Sequence, residues 1–356
     1  MSFTEEITTL AFNWGGTLML EDPHFDGPMI DWPEVHAIEG AQATLEALKG
    51  HYRLVVASNA ANSNAELARK VLARVGLDGF FSHIFTYRDL KVRKPEPAYF
   101  RKVESSLGVA PHQVLMVGDS FWVDVLGAHE AGWRAAWFNP SGEACPGLTP
   151  PHVAELTRLE QLPIILSREL LPEVQTCHTW CLEQGFTFEA WQHVSLVAAI
   201  AYQAAVWLRA RGLDVNPVLA QRGGLVHDIA KFSAPQINPQ VSHAEVGASL
   251  MREYGQPALA EIARRHMIRL AETDKEPRTW EEKLVHFADR LADGPRLVTL
   301  DERLNALAQR YPHNADVMRS QRDYEASLQA EICSAAGLAT PAAMFDALQS
   351  ALRGNR

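Results

Sequence analysis

Short apolar runs alternate with helix-length amphipathic stretches through the first half of the chain. TTLAF, YRLVVAS, FSHIFTY, QVLMVGD and RAAWFN read as strands. Between them GAQATLEALKG, NSNAELARKVLARVG, AYFRKVESSLG and WVDVLGAHEAG place apolar residues three and four apart and read as helices. Strands alternating with helices in this way predict an α/β domain built on a doubly wound parallel sheet. The ligand site of such a sheet lies at the carboxyl ends of its strands. Those ends carry Asn13, Ser58, Lys94, Asp119 and Asp124. After Phe138 the composition changes: NPSGEACPGLTPP reads as loop, and HVAELTRLEQLPIIL closes the domain. The boundary is placed near Leu170. Beyond it the pattern is helical almost to the end with no convincing strand, which predicts an all-α domain. The expected division is 1–170, 171–312 and a helical extension over 313–356.

The helical half concentrates the chemistry. In GGLVHDIAK an apolar run ends in His227 and Asp228, followed by Lys231. A His-Asp step leaving water needs a partner or a metal ion. His193 precedes it, and His243, His266 and Asp289 follow. Any one of these has an ordinary explanation: a hydrogen-bonded core histidine, a helix cap, or a surface ion pair of Asp289 with Arg290. Six in order point to a dinuclear metal site. Adjacent helical residues point about 100° apart, so His227 and Asp228 can serve different sides of one cluster. A carboxylate can bridge two ions roughly 3.5–4 Å apart. Imidazole and carboxylate ligands suit iron, manganese and similar ions. His286 has no ligand role in this pattern and is assigned to packing or to support behind the ligands. Cys177 and Cys181 flank His178 one turn apart, and are expected to be ordinary helix cysteines rather than a metal clip.

Bulk properties narrow the function. The 356 residues are 47% hydrophobic, enough for two cores. A formal net charge of −10 argues against holding long nucleic acid by charge, but leaves room for a small nucleotide. Four cysteines without framework spacing suggest a reducing compartment. The acidic start MSFTEEITTLAF has too short an apolar run for a signal peptide, and no stretch approaches the ~18 apolar residues of a membrane span. The sequence reads as that of a soluble cytoplasmic protein.

With VRKPEP carrying Lys94, VGDSFWVD carrying Asp119 and Asp124, and Ser58 ending its strand, the first domain resembles the haloacid dehalogenase (HAD) superfamily of phosphohydrolases. The resemblance implies a magnesium site formed with Asp119, Asp124 and the first motif. It also implies a nucleophilic aspartate at position 13 and an acid–base aspartate at position 15. Here those residues are Asn13 and Gly15. The Gly15 carbonyl can still face an ion, but an amide is not a useful nucleophile toward phosphate and glycine has no proton to transfer. Magnesium binding is therefore expected to be weak. Three accounts of Asn13 stand: a naturally inactive lobe, replacement of an original aspartate in an otherwise complete enzyme, or residual activity by another route. The cap is minimal, reduced to MLEDPHFDGPMIDWPEVH, whose His24 and His36 read as solvated.

HDIAK, SHAEVGASLM, IARRHMI and TWEEKLVHFADRLAD resemble segments of small bacterial HD-superfamily phosphohydrolases, among them the symmetrical diadenosine tetraphosphate hydrolases. The resemblance implies that His193, His227, Asp228 and Asp289 hold one metal. His243 and His266 hold a second, with Asp228 bridging. Lys231, Arg264, Arg265 and Arg290 stand near these ligands as candidates for phosphate oxygens. The tail is expected to form two amphipathic helices joined around Gly337 and Pro341. They would pack on the HD domain, on the first domain, or on a second subunit in a homo-oligomer. The resulting expectation is a metal-dependent phosphohydrolase acting on a nucleotide through the HD domain, with the HAD lobe inactive. The alternatives are a bifunctional enzyme whose aspartate at 13 has been exchanged, and a non-catalytic nucleotide-binding or assembly protein.

Overall fold

The computed structural model describes residues 7–25, 27–167, 170–237, 240–267, 276–312 and 315–354. Two compact units emerge. One runs to Glu143 and includes Pro151–Glu173; the other takes Ala144–Pro150 and the chain from Val174 onward.

The first unit alternates β1 (Thr9–Phe12), α1 (Ala41–Leu48), β2 (Arg53–Ser58), α2 (Ala65–Arg74), β3 (His83–Thr86), α3 (Pro97–Leu107), β4 (Val114–Gly118) and β5 (Arg134–Phe138). It closes with β6 (Ala154–Leu156) and α4 (Gln161–Ser167). The strands form one parallel sheet in the order β3-β2-β1-β4-β5-β6. Helices cover both faces of such a sheet, so its central strands are apolar throughout rather than alternating; β1, β4 and β5 are buried along their whole length. The sixth strand lies within HVAELTRLEQLPIIL, where only a closing tail was expected. Its three residues are too few to show a period. The stretch after β4 begins as a π-helical turn over Phe121–Leu126 before a short α-helix, Gly127–Glu130. That turn brings Asp124 back under Gly118, where any Cβ would overlap its carboxylate. The short insert after β1 is pinned by Arg74, whose guanidinium donates to the carbonyls of Trp32 and Pro33.

The second unit is helical: α5 (Val174–Glu183), α6 (Phe188–Ala210), α7 (Pro217–Val226), α8 (His243–Glu253), α9 (Pro257–Arg265), α10 (Trp280–Arg290), α11 (Leu300–Arg310), α12 (Ala315–Ala335) and α13 (Pro341–Gly354). A two-residue antiparallel ladder, Ala292–Asp293 with Arg296–Leu297, is its one departure from the all-helical expectation among the described residues. Side-chain caps set the helix starts: Thr187 for α6, Asn216 for α7, Ser242 for α8, and reciprocal Thr-Glu boxes at Thr279/Glu282 and Thr299/Glu302. Gly224 lets α7 lie directly on α6, because a Cβ there would overlap the Ala198 backbone. That close approach sets the end of α7 beside His193. Of the three surfaces open to the tail, the structure uses its own unit: α12 packs on α10 and α11, and α13 on α6 and α12. No helix among the described residues is long and apolar enough to cross a membrane.

Candidate metal centre and a second, altered site

His227 and Asp228 do not sit inside a helix; they form the turn in which α7 ends, with Ile229 N–H donating to the Val226 carbonyl. His193 comes from the first turns of α6, His243 from the start of α8, His266 from the residue closing α9, and Asp289 from the last turn of α10. The fold brings all six together. Asp228 is central. Its Oδ1 lies 3.1 Å from His243 Nε2 and 3.3 Å from His266 Nε2, while its Oδ2 faces His227 Nε2 at 3.6 Å. Asp289 Oδ1 lies 3.2 Å from His193 Nε2 and 4.0 Å from His227 Nε2. Two donor groups have ligand atoms close enough to share an ion: His193, His227 and Asp289, and His227, Asp228 and His266.

The chemistry of these donors fits divalent cations. His227 Nδ1 faces the Gly224 carbonyl at 2.8 Å and His266 Nδ1 faces the Ala263 carbonyl at 2.6 Å. A carbonyl only accepts, so Nδ1 carries the proton in both rings and the Nε2 lone pair is left for a cation. His227 Nε2 is buried without a hydrogen-bond partner, an orphan a cation would satisfy. Burial holds His227 down to about 4, against the attraction of Asp228 and Asp289, and burial lowers His266 as well. Both rings are therefore neutral ligands at neutral pH. Burial alone would raise Asp228, but the imidazoles around it, His227 first, and the Lys231 ammonium pull it well below the usual carboxylate range. Asp289 is likewise held low despite burial, by His193, Arg290 and His227.

Beside this cluster opens a cavity of about 370 Å³. Its walls include His193, Asp228, Lys231, Phe232, Arg303 and Arg310. Lys231 Nζ bonds Asp228 Oδ2 at 2.5 Å. Of the arginines singled out in the sequence, Arg264 and Arg265 are engaged away from the cluster, and Arg290 braces a candidate ligand. Arg264 pairs with Glu245 at 3.3 Å, Arg265 with Glu261 and Glu282, and Arg290 with Asp289 and Glu325. Arg303 and Arg310, which sequence reasoning missed, reach the cavity from α11 and share Asp293. Their spacing of seven on one helix was the available signal. The Cys177 and Cys181 thiols are buried and unlinked, and burial pushes Cys177 up to about 12 and Cys181 higher still, which opposes thiolate ligation.

In the first unit the strand ends converge as expected. Lys94 Nζ is fully buried and donates to the Ala57 carbonyl at 2.6 Å, Asp124 Oδ1 at 2.6 Å and Asn13 Oδ1 at 3.2 Å. Because the ammonium needs the amide oxygen, the Asn13 amide nitrogen must turn the other way. It donates to the Gly15 carbonyl at 2.8 Å and to Asp119 Oδ1 at 3.0 Å. Thr17 donates to the same Asp119 oxygen at 2.7 Å. These are the oxygens that the HAD resemblance assigns to magnesium. With the Asn13 amide and the Thr17 hydroxyl aimed at them, these two oxygens are poorer ligands for the ion. Ser58 Oγ accepts from Ala60 N–H at 3.1 Å at the rim of a cavity of about 660 Å³, whose walls also include Glu21 and Trp32. Glu21 has no counterpart in the sequence reading. A Cβ on Gly15 would overlap its Oε1, so its carboxylate stands where an aspartate at 15 would begin. Burial and the charge of Asp119 raise it above the usual carboxylate range. In the insert, His24 is exposed beside Asp22, as is His36 beside Glu34.

Residues 12–132 match the haloacid dehalogenase-like hydrolase family and residues 190–294 match the HD domain. The first unit thus contains a haloacid dehalogenase-like hydrolase match and the second an HD domain match, fused in one chain. Three curated relatives each align with about a third of the chain. Glyceraldehyde 3-phosphate phosphatase of Pyrococcus furiosus is 32% identical over 136 residues, 37% of this chain and 55% of the relative. An uncharacterized protein of Methanocaldococcus jannaschii is 33% identical over 35% of this chain and 78% of its own. (S)-2-haloacid dehalogenase 2 of a Pseudomonas species is 31% identical over 35% and 54%. The chain thus spans about half the length of two of these three. The crystal structure of an uncharacterized protein from Listeria monocytogenes serotype 4b is 28% identical, covering 45% of this chain and 99% of that one at a TM-score of 0.41.

Proposed function

We propose that this protein is a metal-dependent phosphohydrolase acting on a small nucleotide, or a related phosphate ester or anhydride, through its HD domain. The HAD-like lobe is inactive with asparagine at position 13. The observation that carries the reading is the convergence on Asp228 of three imidazoles, His227, His243 and His266, with His193 beside them on Asp289; in His227 and His266 the Nδ1 proton is committed to a carbonyl and Nε2 is left as a lone pair. Two ions would divide the donors. His193, His227, Asp289 and Asp228 Oδ2 would serve one; His243, His266 and Asp228 Oδ1 would serve the other. Iron, manganese, zinc and similar ions all accept this donor set. Ions held there supply the Lewis acidity that polarises a phosphoryl group and activates water.

The residues around them supply the rest. Lys231 reaches the rim of the cluster and can pass from Asp228 to a phosphoryl oxygen once cations neutralise the carboxylate. Arg303 and Arg310 face the same cavity and offer planar donors to phosphate oxygens beyond the reacting one. Phe186 and Phe232, in edge contact at 5.3 Å, give the wall a face for a base. This arrangement suits a nucleotide better than a bare phosphomonoester, in line with the resemblance to the diadenosine tetraphosphate hydrolases.

The test combines elemental analysis, a panel of nucleotides and Asp228→Ala. The parent is expected to carry transition metal and hydrolyse at least one nucleotide, and the variant to lose both. Full turnover by Asp228→Ala would place the chemistry elsewhere. A second reading is favoured by the intact Lys94–Asp124 pair and the open cavity beside Asn13. In it, a parent sequence with aspartate at 13 is a bifunctional phosphatase, consistent with the phosphatase among the relatives of the first unit.

A further inference from the structure

The HD match ends at residue 294, yet a side chain well beyond it reaches the ligand shell. Glu325, on α12, is 3% exposed. Its Oε1 lies 2.9 Å from His286 Nε2 and 3.4 Å from Arg290 Nε, and both partners are themselves buried on α10. Although burial raises its pKa, His286 and Arg290 hold the carboxyl below the usual range, so it is ionised. A buried carboxylate with two such partners is a fixed structure rather than a passing contact, since losing either partner strands a charge.

Arg290 passes the constraint on. Its NH1 bonds Asp289 Oδ2 at 2.5 Å, and its NH2 donates to the His266 carbonyl at 2.7 Å. His286 Nδ1 faces the Arg265 carbonyl at 3.3 Å, so a second strut reaches the residue next to His266. One carboxylate on α12 thereby orients a ligand from each donor group: Asp289 by its side chain and His266 by its backbone.

Resting on the reading of the HD site as a metal centre, we propose that Glu325 is a positioning residue of that centre. The C-terminal extension, outside the matched domain, is then a working part of it. Partners that orient metal ligands are typically worth 10–100-fold in metal affinity. The experiment uses the full chain stripped of metal, then titrated with Mn²⁺ against a chromophoric chelator well below its unfolding temperature. The unfolding midpoint of the metal-free protein is measured in parallel. Glu325→Gln is expected to weaken Mn²⁺ binding by about 10-fold or more, and Glu325→Asp to recover part of the loss. Arg290→Lys should weaken binding too, and adding Glu325→Gln to it should cost less than in the parent, because Glu325 acts through Arg290. Mn²⁺ affinity within twofold of the parent in Glu325→Gln overturns the proposal, whatever the midpoint does, since a merely structural carboxylate would move only the midpoint. A parent that takes up no Mn²⁺ overturns the metal reading itself and the proposal with it.

Discussion

Asp228 and Asp119 are the same chemical group at the centre of two sites, and their neighbours offer opposite things. Around Asp228 stand imidazoles whose protons are committed to the Gly224 and Ala263 carbonyls, leaving lone pairs turned inward. Around Asp119 stand an amide and a hydroxyl that donate protons. The first arrangement turns ring lone pairs inward around a carboxylate whose other oxygen already holds the Lys231 ammonium. The second already places two proton donors on one Asp119 oxygen. A carboxylate cluster alone does not make a metal site; the direction of its neighbours' protons does.

The contrast breaks most sharply at Asp228. Its replacement by alanine removes the group shared by both donor sets, and nucleotide hydrolysis should fall by at least about 10³-fold, several kcal/mol of lost charge stabilisation. Next comes the conversion of one site toward the other. Asn13→Asp, made in the Asp228→Ala background so that the HD centre is silent, replaces the inward N–H groups with oxygens. Mg²⁺ should then raise the unfolding midpoint by roughly several °C, and hydrolysis of p-nitrophenyl phosphate should appear; the parent should show neither. A parent lobe that responds to Mg²⁺ as strongly would erase the distinction between the two sites.

Acid gives a third handle. Burial holds His227 at about 4 in the metal-free fold, against about 6.5 in the unfolded chain. Between those values the unfolded state binds the extra proton, so the metal-free protein should lose stability as pH falls through that window, by up to the order of 3 kcal/mol. Asp228 and Asp289 are lowered instead, so their contribution persists until pH drops below the ordinary carboxylate range. Thermal melts of chelated protein from pH 7 to 4 should therefore decline before Asp228 or Asp289 titrates. A flat profile above pH 5 would contradict the buried neutral imidazole. The smallest effect is expected at the cavity mouth. Arg310 is half exposed and shares Asp293, so Arg310→Ala should raise KM for a nucleotide only a few-fold, about 1 kcal/mol or less, with kcat nearly unchanged.

The elements that repeat a period were legible in the sequence: the alternation of β1 to β5 with their helices, and the long apolar helix α6. The six residues of the HD centre were legible because they recur in a fixed order beside distinctive neighbours. What could not be read depends on direction or on distance along the chain. Arg264, Arg265 and Arg290 are next to ligands in sequence, but successive helical positions diverge by about 100° and turn them to Glu245, Glu261 and Glu325. Arg303 and Arg310 face the cavity from a helix with no ligand in it. Glu325 belongs to a tail whose apolar stripe fitted several surfaces equally well.

Glu21 carries a consequence for any repair of the first lobe. The two departures from its motif are not equally reversible. Asn13→Asp exchanges an amide for a carboxylate of the same shape. Aspartate at 15 must displace a carboxylate that already fills the space. An aspartate at 15 therefore needs the exposed, flexible Glu21 side chain to swing aside, so the short insert and the motif share one space.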